Sequence, residues 1–553
     1  MPMTGRKKIL FSSVCQPFGT KYGDGFGVSS EGSHQLQWAQ GVFRTRATTN
    51  QWSIDFIAAN IEAPTTTLHY PTMAQFIAEV KKGYDYVGIA FVTPTLHKMI
   101  PMTEAVRRYA PKSKIILGGY GTAIGDELIP HADYICKGEG VAFMRELLGE
   151  PLDAPYVQPV ITQVTRLFSI PLSKPTGYIF AGLGCPNGCD FCATSHYFNR
   201  KHIRLLPEGR SIVDAIHRLR ELHPYMDKFW VSDEDLLLNQ RRGRAFLEAI
   251  RESDLPPLSL GIFGSVKGLS QYKMSELVEM GIDTIWIGFE GKRAGYAKMV
   301  GRSYPELFAD LREHGISVIA SMIIGFDYQT PEIIEKEFEE LMSLRPAMSQ
   351  FLIYGPPYGT PLRERLMAEG RMLPEFVADR STHDGFSPSF VHPHIGNEEM
   401  VALQRRLYEE DFRRLGPTVF RIVDNQLAGC VALRDHADPR VRAKALRYRK
   451  DTHRAQMLIP ASRKYLELAI NEKLEDLRQR LARETGALGI ADRLLAKAVP
   501  ALLRYTQFKV RHDIGQQPEF TRRTFHMDGA ADRASAPARA VEGGQPAVDA
   551  AEA

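Results

Sequence analysis

The feature that most constrains this chain is a run of six strand–helix units between Thr176 and Tyr354. Apolar strand patterns lie at Gly177–Gly182, Lys228–Ser232, Leu258–Gly264, Thr284–Phe289, Val318–Ile324 and Ser349–Tyr354. Amphipathic helical patterns separate them, at Gly209–Leu222, Arg242–Glu252, Lys273–Met280, Tyr304–His314 and Pro331–Leu344. Strand–helix alternation of this kind makes a parallel sheet joined by right-handed crossovers. Six units curl such a sheet into a partial (βα)6 barrel, smaller than the eight-unit one. Chemistry is then expected where the strands end at their carboxyl edge.

A chain of 553 residues is too long for one core, and roughly two to four domains are expected. Residues 1–150 read as an α/β unit, a doubly wound Rossmann-like domain. Its strand candidates are Ile9–Ser12, Ile54–Ala58, Tyr86–Phe91, Lys114–Leu117 and Tyr134–Cys136, with helical stretches at Met73–Lys82 and Met102–Tyr109. The segment from Cys15 to Gln51 breaks the alternation and reads as a long loop or insertion. Residues 151–175, marked by prolines, read as a linker or an embracing strand. The barrel takes 176–375, and a mostly helical region follows over 376–527. Residues 528–553, rich in Ala, Gly and Pro without apolar periodicity, read as a disordered tail.

The first barrel strand runs directly into "GCPNGCDFCATSHYF", which places Cys185, Cys189 and Cys192 in a C-x3-C-x2-C arm. Half of the chain's six cysteines sit there. Three is an odd number for disulfides, and clustered thiols without secretory context point to ligands in a reducing cytoplasm. One reading is a Cys3His zinc site completed by His196. The other is an iron–sulfur cluster on three thiolates, with one iron left open. The position after the first barrel strand favours the cluster.

With those residues in place, the sequence resembles the radical S-adenosylmethionine superfamily, in its cobalamin-binding-domain-containing class. The resemblance implies a [4Fe-4S] cluster on Cys185, Cys189 and Cys192 whose open iron chelates S-adenosylmethionine. Reductive cleavage then gives a 5′-deoxyadenosyl radical. Phe191, before the last cysteine, matches the aromatic position of the signature and is implied at the cofactor. "FWVSDEDLLLN" resembles the second-strand motif, with Asp233 near the methionine end. "IWIGFEGKR" resembles the fourth-strand motif, with Glu290 on the ribose. "ASMIIGFDYQT" resembles the adenine-side fifth strand, and "PPYGTPLRERLMAEGR" the sixth-strand ending, with Tyr358 where proline is usual.

Three N-terminal stretches, "YDYVGIAFVTPT", "KIILGGYGTA" and "ADYICKGEGVAF", resemble the later strands of cobalamin-binding domains. The resemblance implies a cobalamin site that includes Thr93, Gly118 and Gly119. The residues agree, because two glycines at a strand end let a backbone approach a large ligand closely. The loop "SVCQPFGTKYGDGFG" lacks the cobalt-ligating histidine found in many such domains. His34, His69 and His97 are the alternatives, and without them cobalt is expected to carry no histidine. Cys15 on the same loop reads as a small buried hydrophobe.

The expected reaction is methyl transfer to an unactivated carbon of a small molecule or lipid. The alternatives are radical carbon–carbon coupling, cyclisation or oxidation without cobalamin, and a zinc-stabilised binding or scaffold protein. Methylthiolation with a second cluster is disfavoured, because Cys15, Cys136 and Cys430 are scattered. An electron donor such as flavodoxin or ferredoxin is the expected protein partner. A net charge of +4 is small for this length and gives no support to nucleic-acid binding. No apolar stretch approaches the roughly 20 residues of a membrane span, so a cytoplasmic protein is expected. His392 and His394 read as loop residues. "RLLAKAVPALLRYTQFKVRH" reads as a packed helix pair, with a membrane-facing surface as its second reading.

Overall fold

A computed structural model describes residues 7–18, 38–47, 51–167, 170–171, 174–512, 514 and 517–525. The reading of 528–553 as a tail, His34 and most of the Cys15 loop lie outside the described residues.

The N-terminal unit opens with β1 (Ile9–Ser13), followed by α1 (Trp52–Ala58), β2 (Thr65–His69), α2 (Met73–Val80), β3 (Tyr86–Ala90), α3 (Leu96–Tyr109), β4 (Lys114–Gly118), β5 (Tyr134–Ile135) and α4 (Gly140–Leu148). The parallel strands order as β2-β1-β3-β4-β5. This is a doubly wound order whose switch point lies between β1 and β3, and ligands bind outside the carboxyl ends of such strands.

The expected strand over Ile54–Ala58 is corrected: it lies within helix α1. A short apolar run does not by itself distinguish buried strand from helix. Here β1 and β2 are parallel neighbours, so the chain between them must cross over, and α1 forms part of that crossover. The strand itself is Thr-Thr-Thr-Leu-His, a β-branched run buried throughout. Asp55 of α1 is buried against it, accepting from the Thr67 hydroxyl at 2.7 Å and paired with His69 Nε2 at 2.9 Å.

The second unit contains β6 (Thr176–Phe180), α5 (Gly209–Leu222), β7 (Lys228–Ser232), α6 (Gln240–Glu252), β8 (Ser259–Phe263), α7 (Met274–Glu279), β9 (Ile282–Phe289), α8 (Tyr304–Glu313), β10 (Ser317–Ile324), α9 (Pro331–Leu344) and β11 (Met348–Ile353). The six strands are parallel and lie in sequence order, with Thr162–Gln163 added antiparallel beside β6. Segment 151–175 therefore contributes an edge strand. The sheet stays open between β6 and β11 yet curls. Asp190, after β6, accepts from the Tyr354 hydroxyl beyond β11 at 3.0 Å.

Helices α10 (Asn397–Leu415), α11 (Thr418–Leu433), α12 (Pro439–His453), α13 (Leu468–Thr485), α14 (Ile490–Ala496) and α15 (Val499–Arg511) follow. Apolar residues of α10, α11, α13 and α15 share a core with Phe43 and Ile459 that includes Phe420, Leu474 and Leu503, while α12 packs on the barrel core through Val441, Ala445 and Tyr448. A further strand, β12 (Thr521–Phe525), returns to pair antiparallel with β2. Arg522 and Arg523 fix it there, through Glu79 at 2.9 Å and Asp55 at 2.8 Å. Among the described residues no helix is long and apolar enough to cross a membrane.

Candidate active site

The three thiols occupy an excursion at the carboxyl end of β6. A short antiparallel ribbon closes its base, pairing Gly182 with Arg204 and Leu183 with Ile203. Gly184 turns the chain out of the ribbon at φ +76°. A β-carbon there would lie 2.3 Å from the Lys201 carbonyl, so no other residue fits. Ser195 holds the loop's shape, donating to the Cys185 carbonyl at 2.7 Å and accepting from the Gly188 N–H at 3.1 Å. The loop ends in a short helix, Ala193–Tyr197.

Cys189 is buried, and Cys185 and Cys192 are half-buried. Burial pushes the Cys185 and Cys189 thiols up to about 11, with the neighbouring Cys192 adding to both. Burial also raises Cys192. Among the described residues no three His, Cys, Asp or Glu converge as ligands of one ion, whereas a structural zinc needs four donors within about 2.3 Å of the metal. His196 Nε2 is bonded to the Cys189 carbonyl at 3.0 Å, not turned toward the thiols. The arm therefore lacks, among the described residues, the four donors that closed zinc needs.

The floor behind this loop comes from the other strand ends. Phe191 packs its ring against Tyr296, Tyr354 and Phe326, at centroid distances of 5.4, 5.8 and 6.2 Å. Asp190 accepts from the Tyr296 hydroxyl at 2.8 Å. The loop is thus tied to the far edge of the curled sheet. Glu290, just past β9, is 3% exposed. Its Oε1 accepts from Lys298 at 2.5 Å, and its Oε2 has no partner. Gly288 makes room for it, since a β-carbon there would lie 2.4 Å from Oε1. A buried carboxylate oxygen without a donor costs a few kcal/mol. A ligand hydroxyl is the kind of group that would satisfy it.

Asp233 is placed at the end of β7, below the mouth. Its Oδ2 takes Arg242 at 2.6 Å and His202 at 3.2 Å, and Oδ1 accepts from the Asp235 N–H at 3.3 Å. Burial opposes its ionisation, but His202 and Arg242 hold it below the usual carboxylate range. Arg242 also donates to the Ala181 and Leu206 carbonyls at 2.9 and 2.8 Å, so this pair braces the strand ends. The unmatched carboxyls are its neighbours. Glu234 is pushed up to about 7 by burial and by Asp233, and Asp235 up to about 6 chiefly by burial, with its Oδ2 lacking a partner. Sequence reasoning missed both. The "SDEDL" string carried the signal, but no pattern shows which of three successive carboxyls meets Arg242.

The carboxyl edge of the N-terminal sheet abuts the same loop. Tyr197 donates to the Gly119 carbonyl at 3.1 Å and bonds the Thr122 hydroxyl at 2.7 Å. Tyr120 packs on Tyr197 at 4.9 Å and reaches Thr194 Oγ1 at 3.4 Å. Thr93 opens the turn after β3, which packs against the Tyr120–Ile124 turn after β4. Gly119, at φ +91°, is required by packing, because a β-carbon would meet the Phe91 carbonyl at 2.5 Å. Gly118 and Gly138 instead face open space, with no atom within 4 Å of where a β-carbon would stand. That open edge lies at the carboxyl ends of β4 and β5, on the side of the sheet where ligands bind in doubly wound folds.

Both ring nitrogens of His69 are engaged, by the Gln51 N–H at 3.0 Å and by Asp55, which leaves neither for a metal. His392 is likewise bonded at both nitrogens to backbone groups. Cys15 is buried in the N-terminal core, as its reading as a small hydrophobe expects. Tyr358, in the place of the usual proline, lies under the Arg363 guanidinium at 3.7 Å and stacks on His383 at 5.6 Å.

No family model matches the chain. Among curated proteins it is similar to the bacteriochlorophyllide d C-12(1)-methyltransferase of Chlorobaculum tepidum, 23% identical over 359 residues, covering 59% of this chain and 75% of that protein. It is also similar to the hopanoid C-2 methylase of Rhodopseudomonas palustris, 23% identical over 425 residues, covering 71% and 74%. Among solved structures it shares the fold of TsrM from Kitasatospora setae, a radical S-adenosylmethionine methyltransferase determined with cobalamin and a [4Fe-4S] cluster. That match has a TM-score of 0.52 at 14% identity and covers 81% of this chain and 99% of TsrM. The cysteine arm, the strand-end motifs in register on one curled sheet and these relatives all agree with the resemblance to radical S-adenosylmethionine proteins of the class that carries a cobalamin-binding-type domain.

Proposed function

We propose that this protein is a methyltransferase that uses a [4Fe-4S] cluster, S-adenosylmethionine and cobalamin to methylate an unactivated carbon of a small molecule or lipid. One observation carries the reading: the helix that ends the three-thiol loop is bonded through Tyr197 and Tyr120 to the turn after β4, beside the open position at Gly118. When bound, the cluster supplies an electron to the sulfonium of S-adenosylmethionine and cobalamin supplies a methyl carrier.

The chain's own contribution is binding and exclusion of water. Cys185, Cys189 and Cys192 hold the cluster, and Ser195 fixes their spacing. The unpartnered Oε2 of Glu290 accepts a ribose hydroxyl of S-adenosylmethionine, with Lys298 orienting the carboxylate from its other side. Phe191 closes the adenine side through its aromatic neighbours. Asp233 acts from below, as the brace for the strand ends that carry Glu234 and Asp235. Thr93, Gly118 and Gly119 would line the cobalamin edge. The division at residues 150, 175, 375 and 527 belongs to the same reading, as does a flavodoxin- or ferredoxin-type donor.

The test is anaerobic reconstitution with iron, sulfide and cobalamin, followed by incubation with S-adenosylmethionine and a cell extract. A substrate gaining the mass of one methylene is expected. So is a cobalt(II) electron paramagnetic resonance spectrum without nitrogen superhyperfine splitting. Gly118→Leu fills the open edge without the backbone clash that any side chain at Gly119 meets, and it should abolish corrinoid binding. Iron and sulfide without corrinoid would replace methyl transfer by coupling, cyclisation or oxidation.

A further inference from the structure

Helix α15 carries apolar surface on two faces, and α14 carries it on exposed positions alone. The inner face is ordinary core: Val499 and Leu503 are buried and pack with Val42, Phe43 and Ile459. The outer face is not. Ile490, Leu494, Leu495, Tyr505 and Phe508 are each at least half exposed. Lys497 and Ala498 keep right-handed helical torsions, so the register runs through the junction of the two helices. Leu494, Ala498, Ala501, Tyr505 and Phe508 follow one another at alternating spacings of four and three, which places them in a single stripe. A lone exposed leucine means nothing, but a continuous stripe of this kind marks an interaction surface.

The charges around the stripe identify its occupant. Arg493, Lys497, Arg504 and Arg511 fall along one border, and no carboxylate pairs with any of them among the described residues. On the other border Lys509 lies over the Tyr505 ring at 5.6 Å. The acid of α14, Asp492, points away and pairs with Arg454 at 3.2 Å. Apolar side chains flanked by cations, with an aromatic residue carrying a polar tip, match the boundary between acyl chains and anionic headgroups. A protein partner of matching shape would not require that one-signed border.

We infer that the outer face of α14 and α15 docks this protein on an anionic phospholipid surface, its helices lying in the plane of the interface. This docking is independent of the methyl-transfer reading, because none of its residues reaches the thiol loop. It is tested on the full-length protein by flotation with phosphatidylcholine vesicles that do or do not contain phosphatidylglycerol. The wild type should float with the anionic vesicles and bind neutral ones at least about tenfold more weakly, and salt should weaken the anionic binding.

Leu494→Glu/Phe508→Glu should lose at least about tenfold in binding, with its circular dichroism melt and iron content unchanged. Should that variant unfold, Arg493→Gln/Lys497→Gln/Arg504→Gln keeps the apolar stripe and should lose the salt dependence. Wild-type protein that stays with the unbound fraction overturns the inference. So do variants that float like the wild type. Sedimentation showing a dimer that Leu494→Glu/Phe508→Glu dissolves would assign the face to a second copy of the chain instead.

Discussion

The two ends of the curled sheet handle buried charge in opposite ways. At the amino ends of the strands, α12 crosses the floor and inserts Lys444, which is 1% exposed. Its ammonium donates to the Leu258 and Gly281 carbonyls and to Asp283, the last two at 3.1 Å. Arg447 beside it reaches the Pro257 carbonyl at 2.5 Å and Asp227 at 3.2 Å. Burial pushes Lys444 down to about 8, with Asp283 opposing. At the carboxyl ends, Glu290 and Asp235 each keep an oxygen with no partner, and the three thiols have no fourth protein donor among the described residues. The floor plug keeps one unmatched hydroxyl, that of Tyr448 beneath Lys444, but pairs its cations, whereas the mouth leaves carboxylate oxygens that a ligand can complete.

The largest effect that would break this contrast is at the thiols. Cys189→Ala should abolish cluster binding and all reductive cleavage of S-adenosylmethionine, because two thiolates hold a cluster poorly. Iron content and 5′-deoxyadenosine yield measure it, and full yield from the variant would remove the assignment. Next is the floor. Lys444→Ala leaves Asp283 buried without its cation and should cost about 3–5 kcal/mol in denaturant unfolding. A loss below about 1 kcal/mol would show that the plug is ornamental to stability.

Glu290→Gln should leave stability and iron content close to wild type while weakening S-adenosylmethionine by about 1.5–3 kcal/mol, roughly ten- to a hundredfold. Unchanged affinity in calorimetry would reject the ribose role. The smallest effect is a pH slope. Glu234 has its pKa raised from the ordinary 4.5 to about 7, so the folded protein binds its proton more tightly than the unfolded chain does. Its contribution to stability therefore falls as pH rises from about 4.5 to about 7. Glu234→Gln should flatten that fall in the apo protein. An identical slope in both proteins would place the titration elsewhere.

Much of the site was legible without coordinates because its signals are local. The C-x3-C-x2-C arm is contiguous, and Glu290 follows an apolar run at the end of a strand. The barrel strands read correctly for the same reason: each is a buried run bounded by glycines and by amphipathic helices. The N-terminal unit was harder. Ile54–Ala58 and Thr65–His69 were separable only once β1 and β2 were known to be parallel neighbours. The return of β12 was invisible, since its guanidinium partners Asp55 and Glu79 lie more than 400 positions away in the chain.

The sequence by itself determined the clustering of three cysteines after the first barrel strand, the order of the barrel strands and the glycine-ended strand of the N-terminal sheet, all carried by short periodicities and close spacings. Tertiary structure alone decided which carboxylates stay unpaired. Asp233 is neutralised by Arg242, whereas Glu234, one residue on, accepts no hydrogen bond from the described residues. It also decided that the thiol loop is fastened to the Gly119 turn through Tyr197. Pairing and facing depend on where strands end in space, and residue spacing along the chain does not encode that distance.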